Sequence, residues 1–85
     1  MNNKENLKKK ILYRSKHRGT KEMDILLGTF VNKYIDTFHN KDLEELDKML
    51  DIEDGILYDL YFGKIENFNI QESKVFLLFK NFKIK

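Results

Sequence analysis

Apolar residues recur at helical spacing along most of this chain, and the longest such pattern is 23–38. Its apolar positions are Met23, Leu26, Leu27, Phe30, Val31, Tyr34, Ile35 and Phe38. A spacing of three or four residues places these side chains on one side of a helix. The pattern therefore predicts a long amphipathic helix over 21–38 with one broad apolar face.

Four shorter patterns predict further helices before and after it. Their apolar positions are Leu7, Ile11 and Leu12; Leu43, Leu46, Met49 and Leu50; Ile56, Leu57, Leu60 and Tyr61; and Val75, Phe76, Phe79 and Phe82. The first of these helices is expected to end near His17. The last segment, KVFLLFKNF, has a composition that also suits a strand. The chain offers no second strand to pair with it, so a helix is favoured.

Turn and capping residues lie between the apolar segments. Asn40 is expected to be the N-cap of the third helix, and Gly19 is one candidate for the N-cap of the second. Gly63 is expected to end the fourth helix in the left-handed conformation. Asn69 and Glu72 have the spacing of a capping box for the fifth helix. These positions divide the chain into five short helices.

The length of the chain and this division predict one all-α domain, a compact five-helix bundle. We assign residues 7–82 to a single helical domain and residues 1–6 to a flexible basic N-terminus. The 85 residues include no cysteine, which excludes disulfides and thiolate metal sites. No run of 18 apolar residues occurs, so insertion into a membrane is not expected.

Charge is distributed unevenly along the chain. Residues 1–21 contain eight basic residues and one acidic residue, a charge of +7. Residues 22–66 contain four basic and twelve acidic residues, a charge of −8. Residues 67–85 contain four basic residues and one acidic residue, a charge of +3, so the three segments sum to the net charge of +2. Two explanations are open. The basic segment could attract a negatively charged partner, or the first helix could lie against acidic helices of the same chain.

Residues that could perform catalysis or bind a metal are few. His17 and His39 lie at opposite ends of the second helix, about 30 Å apart at the rise of an α-helix, so they cannot share an ion. Ser15 and His17 are two positions apart and do not face each other on a helix. The acids between Asp51 and Asp54 fit helix capping better than a calcium loop. We therefore expect no catalytic, metal or cofactor site.

A nucleic-acid-binding module is the alternative from a different class of function. The segment KKKILYRSKHR is basic, and a glycine followed by another helix is compatible with a helix-turn-helix. The helix after the glycine is mostly apolar, however, and Lys33 is its only basic residue beyond the first turn. A recognition helix needs a polar, basic outer face, so binding to nucleic acid is the weaker interpretation.

The stretch RSKHRGTKEMDILLGTF resembles the signature of the FAD assembly factor family, also known as the succinate dehydrogenase assembly factor 2 family. The matching positions are Ser15, Arg18, Gly19, Glu22, Asp24, Leu27 and Phe30. The resemblance continues through Tyr34, the acidic segment NKDLEELDKML, and then Asp54, Leu57 and Tyr58. It covers roughly residues 8–80. One departure is the fourth helix, where the family commonly has Trp and this chain has Leu60 or Tyr61.

The resemblance implies a small helical chaperone-like factor and not an enzyme. Such factors bind the flavoprotein subunit of succinate dehydrogenase, or of fumarate reductase in some bacteria, and promote covalent attachment of FAD to it. The factor itself is expected to hold no cofactor stably and to act on the FAD of its partner. A cytoplasmic location in a bacterium, or the mitochondrial matrix in a eukaryote, follows from the family. We expect a monomer when the factor is free.

The corner between the first two helices is the predicted partner-binding site. It comprises Arg18, Gly19 and Glu22, with Arg14 and Asp24 beside them. Gly19 would allow close approach of a partner, and Arg18 would offer paired donors to a carboxylate or carbonyl. A purely structural explanation is also open, with Glu22 capping the second helix from its third position and Asp24 complementing the helix dipole.

Overall fold

The computed structural model describes residues 3–65 and 73–83. Its five α-helices are α1 (Asn3–Lys16), α2 (Lys21–Tyr34), α3 (Asn40–Met49), α4 (Asp54–Tyr61) and α5 (Lys74–Asn81). No strand occurs in these two ranges, and the segment that could have been a strand forms α5. The prediction of an all-α, compact five-helix fold is confirmed.

The first two helices differ from their predicted bounds. Helix α1 begins at Asn3, so residues 3–6, assigned to a flexible N-terminus, continue the helix. The domain boundary at residue 7 stays a prediction. Helix α2 ends at Tyr34, and a 3₁₀ turn at Ile35–Thr37 follows it. Phe38 is still buried after this tighter turn, so the apolar stripe continues to the predicted end.

Aromatic side chains fill the centre of the bundle. Helix α1 packs on α2 and α3, and α5 packs on α3 and α4. The ring of Phe30 on α2 meets Phe79 and Phe82 edge-on, at centroid distances of 5.3 and 5.4 Å. Edge-to-face pairs of this kind add to the free energy gained by burial. The apolar positions of all five sequence patterns are buried in this core, apart from Ile56, which is exposed, and the half-buried Leu7, Leu12 and Tyr34.

Two of the predicted helix caps are wrong by one residue. Thr20, not Gly19, is the N-cap of α2, and its hydroxyl accepts a hydrogen bond from the Met23 amide at 3.2 Å. His39, not Asn40, is the N-cap of α3. In both cases the actual N-cap residue has an extended backbone. Gly19 lies one residue before its cap, and Asn40 is already the first residue of α3.

The remaining predicted caps lie at the end of α4 and before α5. Gly63 has a φ of 74°, which confirms the predicted left-handed end of α4. The capping box at Asn69 and Glu72 lies outside the described residues. Helix α5 has Ser73 as its N-cap, whose hydroxyl accepts a hydrogen bond from the Phe76 amide.

Three basic side chains of α1 pair with acids of the same chain. Lys8 lies 3.3 Å from Asp36, Lys10 lies 3.2 Å from Asp47, and Arg14 bridges Asp47 and Asp51. For these residues the intramolecular explanation of the uneven charge is correct. No helix in the described ranges is both long and apolar enough to span a membrane.

Candidate functional site

Arg18 fixes the corner between α1 and α2 to the connection between α3 and α4. Its NH1 and NH2 groups donate to the carbonyl oxygens of Leu50 and Ile52 at 2.7 and 2.8 Å. Its Nε donates to Oδ1 of Asp54 at 2.6 Å. Only 10% of the Arg18 side chain is exposed. The guanidinium donors that the sequence analysis offered to a partner are therefore directed into the protein.

Gly19 completes this arrangement through its backbone. Its amide donates to Oδ2 of Asp54 at 2.6 Å, so one carboxylate holds both residues of the Arg-Gly pair. A Cβ atom at position 19 would lie 3.1 Å from the same oxygen. The close approach that favours a glycine here is made by Asp54 of this chain.

Asp24 closes the corner from the other side. It lies in the first turn of α2, and its Oδ1 accepts a hydrogen bond from the Arg18 amide. The carboxylate also lies near the positive end of the helix dipole. Asp24 therefore orders the backbone that leads into α2, in addition to the dipole role expected from sequence.

Arg14 lies one turn before Arg18 and holds the acidic face of α3. Its NH1 donates to Oδ1 of Asp47 at 2.6 Å, and its NH2 donates to Asp51. Partial burial lowers the pKa of Arg14, but hydrogen bonds to Asp51 and Asp47 and their negative charges outweigh it, so the pKa is raised. Arg14 therefore carries its charge at any pH at which the protein is handled.

Glu22 is the residue of the predicted site that faces outward. It is exposed at the second position of α2, and its carboxylate forms no hydrogen bond to the described part of the chain. The predicted capping role of Glu22 is wrong, because Thr20 is the cap and Glu22 is not at the third position. Its side chain is thus available to a binding partner.

An open cleft of about 520 Å³ lies beside Glu22, between the first turn of α2 and helix α4. It is lined by Thr20, Glu22, Met23, Glu53, Asp54, Gly55, Ile56, Tyr58 and Asp59. Ile56 and Tyr58 are among the exposed large hydrophobic side chains. The cleft combines an apolar surface with carboxylates, which is a composition suited to contact with another protein.

The structure thus brings the five predicted residues into one corner, but gives them different surroundings. Arg14, Arg18, Gly19 and Asp24 contact the chain itself, whereas Glu22 faces the cleft. Their role in partner binding stays a prediction. Sequence reasoning missed the part played by Asp54, which it treated as a capping residue. Asp54 is one of the positions that match the family pattern, and this was the available signal. No local spacing in the sequence connects Asp54 to Arg18.

A family model described as flavinator of succinate dehydrogenase matches residues 9–83, nearly the whole chain. The chain belongs to this flavinator family. The match includes the complete corner and the segment that carries Asp54. Membership also agrees with the resemblance found in the sequence.

Curated relatives of this flavinator-family chain have matching names. A protein named succinate dehydrogenase assembly factor 2, mitochondrial, from Debaryomyces hansenii is 34% identical over 61 residues, 72% of this chain and 41% of the relative. The FAD assembly factor SdhE of Acetobacter pasteurianus is 36% identical over 58 residues, 68% of this chain and 53% of the relative. The chain spans about half the length of such relatives, or less. Comparison with solved structures finds no match.

None of these names points to nucleic acid, so the alternative from the sequence analysis gains no support. No cluster of three or more potential metal ligands occurs among the residues that the structure describes.

Proposed function

We propose that this chain assists the covalent attachment of FAD to the flavoprotein subunit of succinate dehydrogenase, or of fumarate reductase. The observation that supports this most strongly is the family match over residues 9–83. The names of the bacterial and yeast relatives support the same role. The FAD belongs to the client subunit in this proposal, and the chain holds no flavin of its own. It acts in the compartment of its client, the bacterial cytoplasm or the mitochondrial matrix.

The corner would act by positioning and not by acid-base chemistry. Arg18 and Asp54 hold each other, and Gly19 and Asp24 fix the adjoining backbone, so the corner has a fixed shape before any partner binds. A surface that is already ordered loses little conformational entropy on binding. Holding the client in the reactive geometry can by itself accelerate a reaction between FAD and a histidine.

Glu22 and the cleft are the parts of the corner that would contact the client. The four other residues of the predicted site have their polar groups directed to this chain, and Glu22 does not. Ile56 and Tyr58 offer apolar area next to its carboxylate. In this proposal Arg18 and Gly19 are positioning residues, and Glu22 makes the contact.

The test is co-expression with the flavoprotein subunit in a host without its own assembly factor. Covalent flavin is then measured by in-gel fluorescence after denaturation. We expect fluorescence with the wild-type chain and little with Glu22→Lys. The matched control is Glu44→Lys, an equal charge change at an exposed position of α3. Far-UV circular dichroism confirms that both variants are folded. Equal fluorescence with and without the wild-type chain would refute the proposed function.

A further inference from the structure

The outer face of α1 carries exposed side chains that lie outside the hydrophobic core. Its inner face holds the buried Ile11 and Ser15. The opposite side is formed by four exposed residues, Lys9, Tyr13 and Lys16 of the helix and His17 directly after it, which we call the outer ridge. Spacings of three, four and seven residues place them together on one side of the helix.

Tyr13 and His17 form an ordered pair on this ridge. Their rings stack with centroids 3.9 Å apart and an interplanar angle of 17°. Nδ1 of His17 lies 2.7 Å from the carbonyl oxygen of Tyr13. A carbonyl can only accept, so Nδ1 carries the proton and Nε2 on the far side of the ring has no partner in the described structure. Tyr13 is nevertheless 65% exposed, the highest value among the large hydrophobic side chains described.

The lysines of the ridge differ from the other basic residues of this region. Lys8, Lys10 and Arg14 are paired with acids of the chain. Within residues 3–65 and 73–83, Lys9 and Lys16 form no ion pair. The ridge therefore presents two positive charges beside an aromatic pair that is exposed to solvent.

The shape and charge of the ridge indicate what it could bind. A convex helix surface cannot enclose a small ligand, because small-molecule sites are concave. Two lysines neutralise few phosphates, which gives only weak binding to nucleic acid at physiological salt. A protein surface with carboxylates opposite the lysines and an apolar contact for the Tyr13 ring fits both features. Tyrosine contributes much contact area at a small entropic cost in such interfaces.

We propose that the outer ridge binds a carboxylate-bearing surface of the client flavoprotein subunit, as a second contact next to the corner. This inference rests on the proposed function, which supplies the client. The ridge ends at His17, directly before Arg18, so the ridge and the corner adjoin along the chain. The lysines attract the acidic surface, and Tyr13 anchors the contact.

The test measures binding of the full 85-residue chain to the immobilised flavoprotein subunit at low and near-physiological salt. The ridge variant is Lys9→Gln with Lys16→Gln. The matched control is Lys41→Gln with Lys48→Gln, the same charge change at exposed positions of α3. A third variant, Tyr13→Ala, removes the aromatic anchor.

At low salt we expect the ridge variant to bind roughly 3- to 30-fold more weakly than wild type, with a shallower salt dependence. Tyr13→Ala should weaken binding by roughly tenfold at both salt concentrations. The control should bind as wild type, and circular dichroism should show the same helix content throughout.

Wild-type binding to the subunit with an unchanged Kd in the ridge variant would overturn this inference and leave the proposed function standing. Absence of any wild-type complex would overturn both. A gel shift with a DNA duplex identifies the competing occupant. If the wild-type chain shifts the duplex and the ridge variant does not, while both bind the subunit equally, the ridge is a nucleic-acid surface and the inference is wrong.

Discussion

The carboxylate of Asp54 lies 2.6 Å from Nε of Arg18 and joins two segments that are 36 positions apart in the chain. Both side chains are largely buried, with 10% of Arg18 and 16% of Asp54 exposed. The same carboxylate accepts a hydrogen bond from the backbone amide of Gly19. The Arg-Gly pair is thus held by an acid that does not belong to its own segment.

Replacing Asp54 with asparagine should destabilise the fold by about 2 kcal/mol, because an amide cannot accept from both donors and leaves Arg18 without a countercharge. Urea denaturation followed by circular dichroism measures the change. Asp59→Asn is the control, since the Asp59 carboxylate forms no hydrogen bond to the described residues, and we expect its effect to be within about 0.5 kcal/mol. Equal effects of the two substitutions would contradict the role assigned to Asp54.

Gly19→Ala should cost about 1 kcal/mol, because its Cβ would lie 3.1 Å from Oδ2 of Asp54 and must displace it. The backbone at Gly19 is not in the left-handed region, so the cost depends on this contact. Gly55→Ala is the control, because a Cβ atom at position 55 would lie 3.9 Å from Oε1 of Glu53, an ordinary contact distance. Within helix α4 that change should stabilise by about 0.5 kcal/mol. In an Asp54→Ala background the cost of Gly19→Ala should shrink, which a double-mutant cycle measures.

Arg14→Met should destabilise the protein by about 1 kcal/mol, since it removes the bridge between Asp47 and Asp51. Lys10→Met also removes a partner of Asp47, but Lys10 is 57% exposed and Arg14 only 25%. Lys10→Met should therefore lower the free energy of unfolding by less than about 0.5 kcal/mol. Urea denaturation at low and high salt compares the two, and a larger effect for Lys10→Met would contradict the prediction.

The contribution of Arg14 should not change between about pH 6 and pH 9 through its own titration. Its pKa is raised in the folded state, so its stabilisation is present below the unfolded pKa and is lost only as pH rises through the folded pKa. Both values lie above this range. The difference in unfolding free energy between wild type and Arg14→Met, measured across it, should be constant.

Thr20→Ala should cost about 1 kcal/mol, because the Met23 amide loses the hydroxyl that caps α2. Thr20→Ser keeps that oxygen and should retain most of the stability. Thermal denaturation of both variants separates the cap from the loss of side-chain volume. If Glu22→Ala were more costly than Thr20→Ala, the cap would lie at Gly19, as one sequence interpretation had it.

Local patterns in the sequence were enough to predict the helices and several of their ends. The stripe from Met23 to Phe38 and the left-handed Gly63 depend on neighbours within a few positions, and both were found. The N-cap of α2 was misplaced because Gly19 and Thr20 both suit that position. Glutamate three residues after Gly19 favoured the wrong one.

The residues of the predicted site do lie together at one corner, but the direction of the Arg18 side chain was predicted wrongly. Arg18 looked exposed because its segment is polar, and its carbonyl partners at Leu50 and Ile52 lie more than 30 positions away. Hydrogen bonds between distant segments leave no regular spacing of residues in the sequence from which they could be predicted. The structure alone distinguishes the inward Arg18 from the outward Glu22.

The hydrogen bond between Arg18 and Asp54 also has a kinetic consequence. It closes a loop of 36 residues, so it costs more chain entropy than the hydrogen bonds within each helix and requires α4 to be present. A newly made chain that has not yet reached α4 cannot display the finished corner. Any protein that recognises the corner therefore distinguishes chains in which α4 has reached it from chains in which α4 has not.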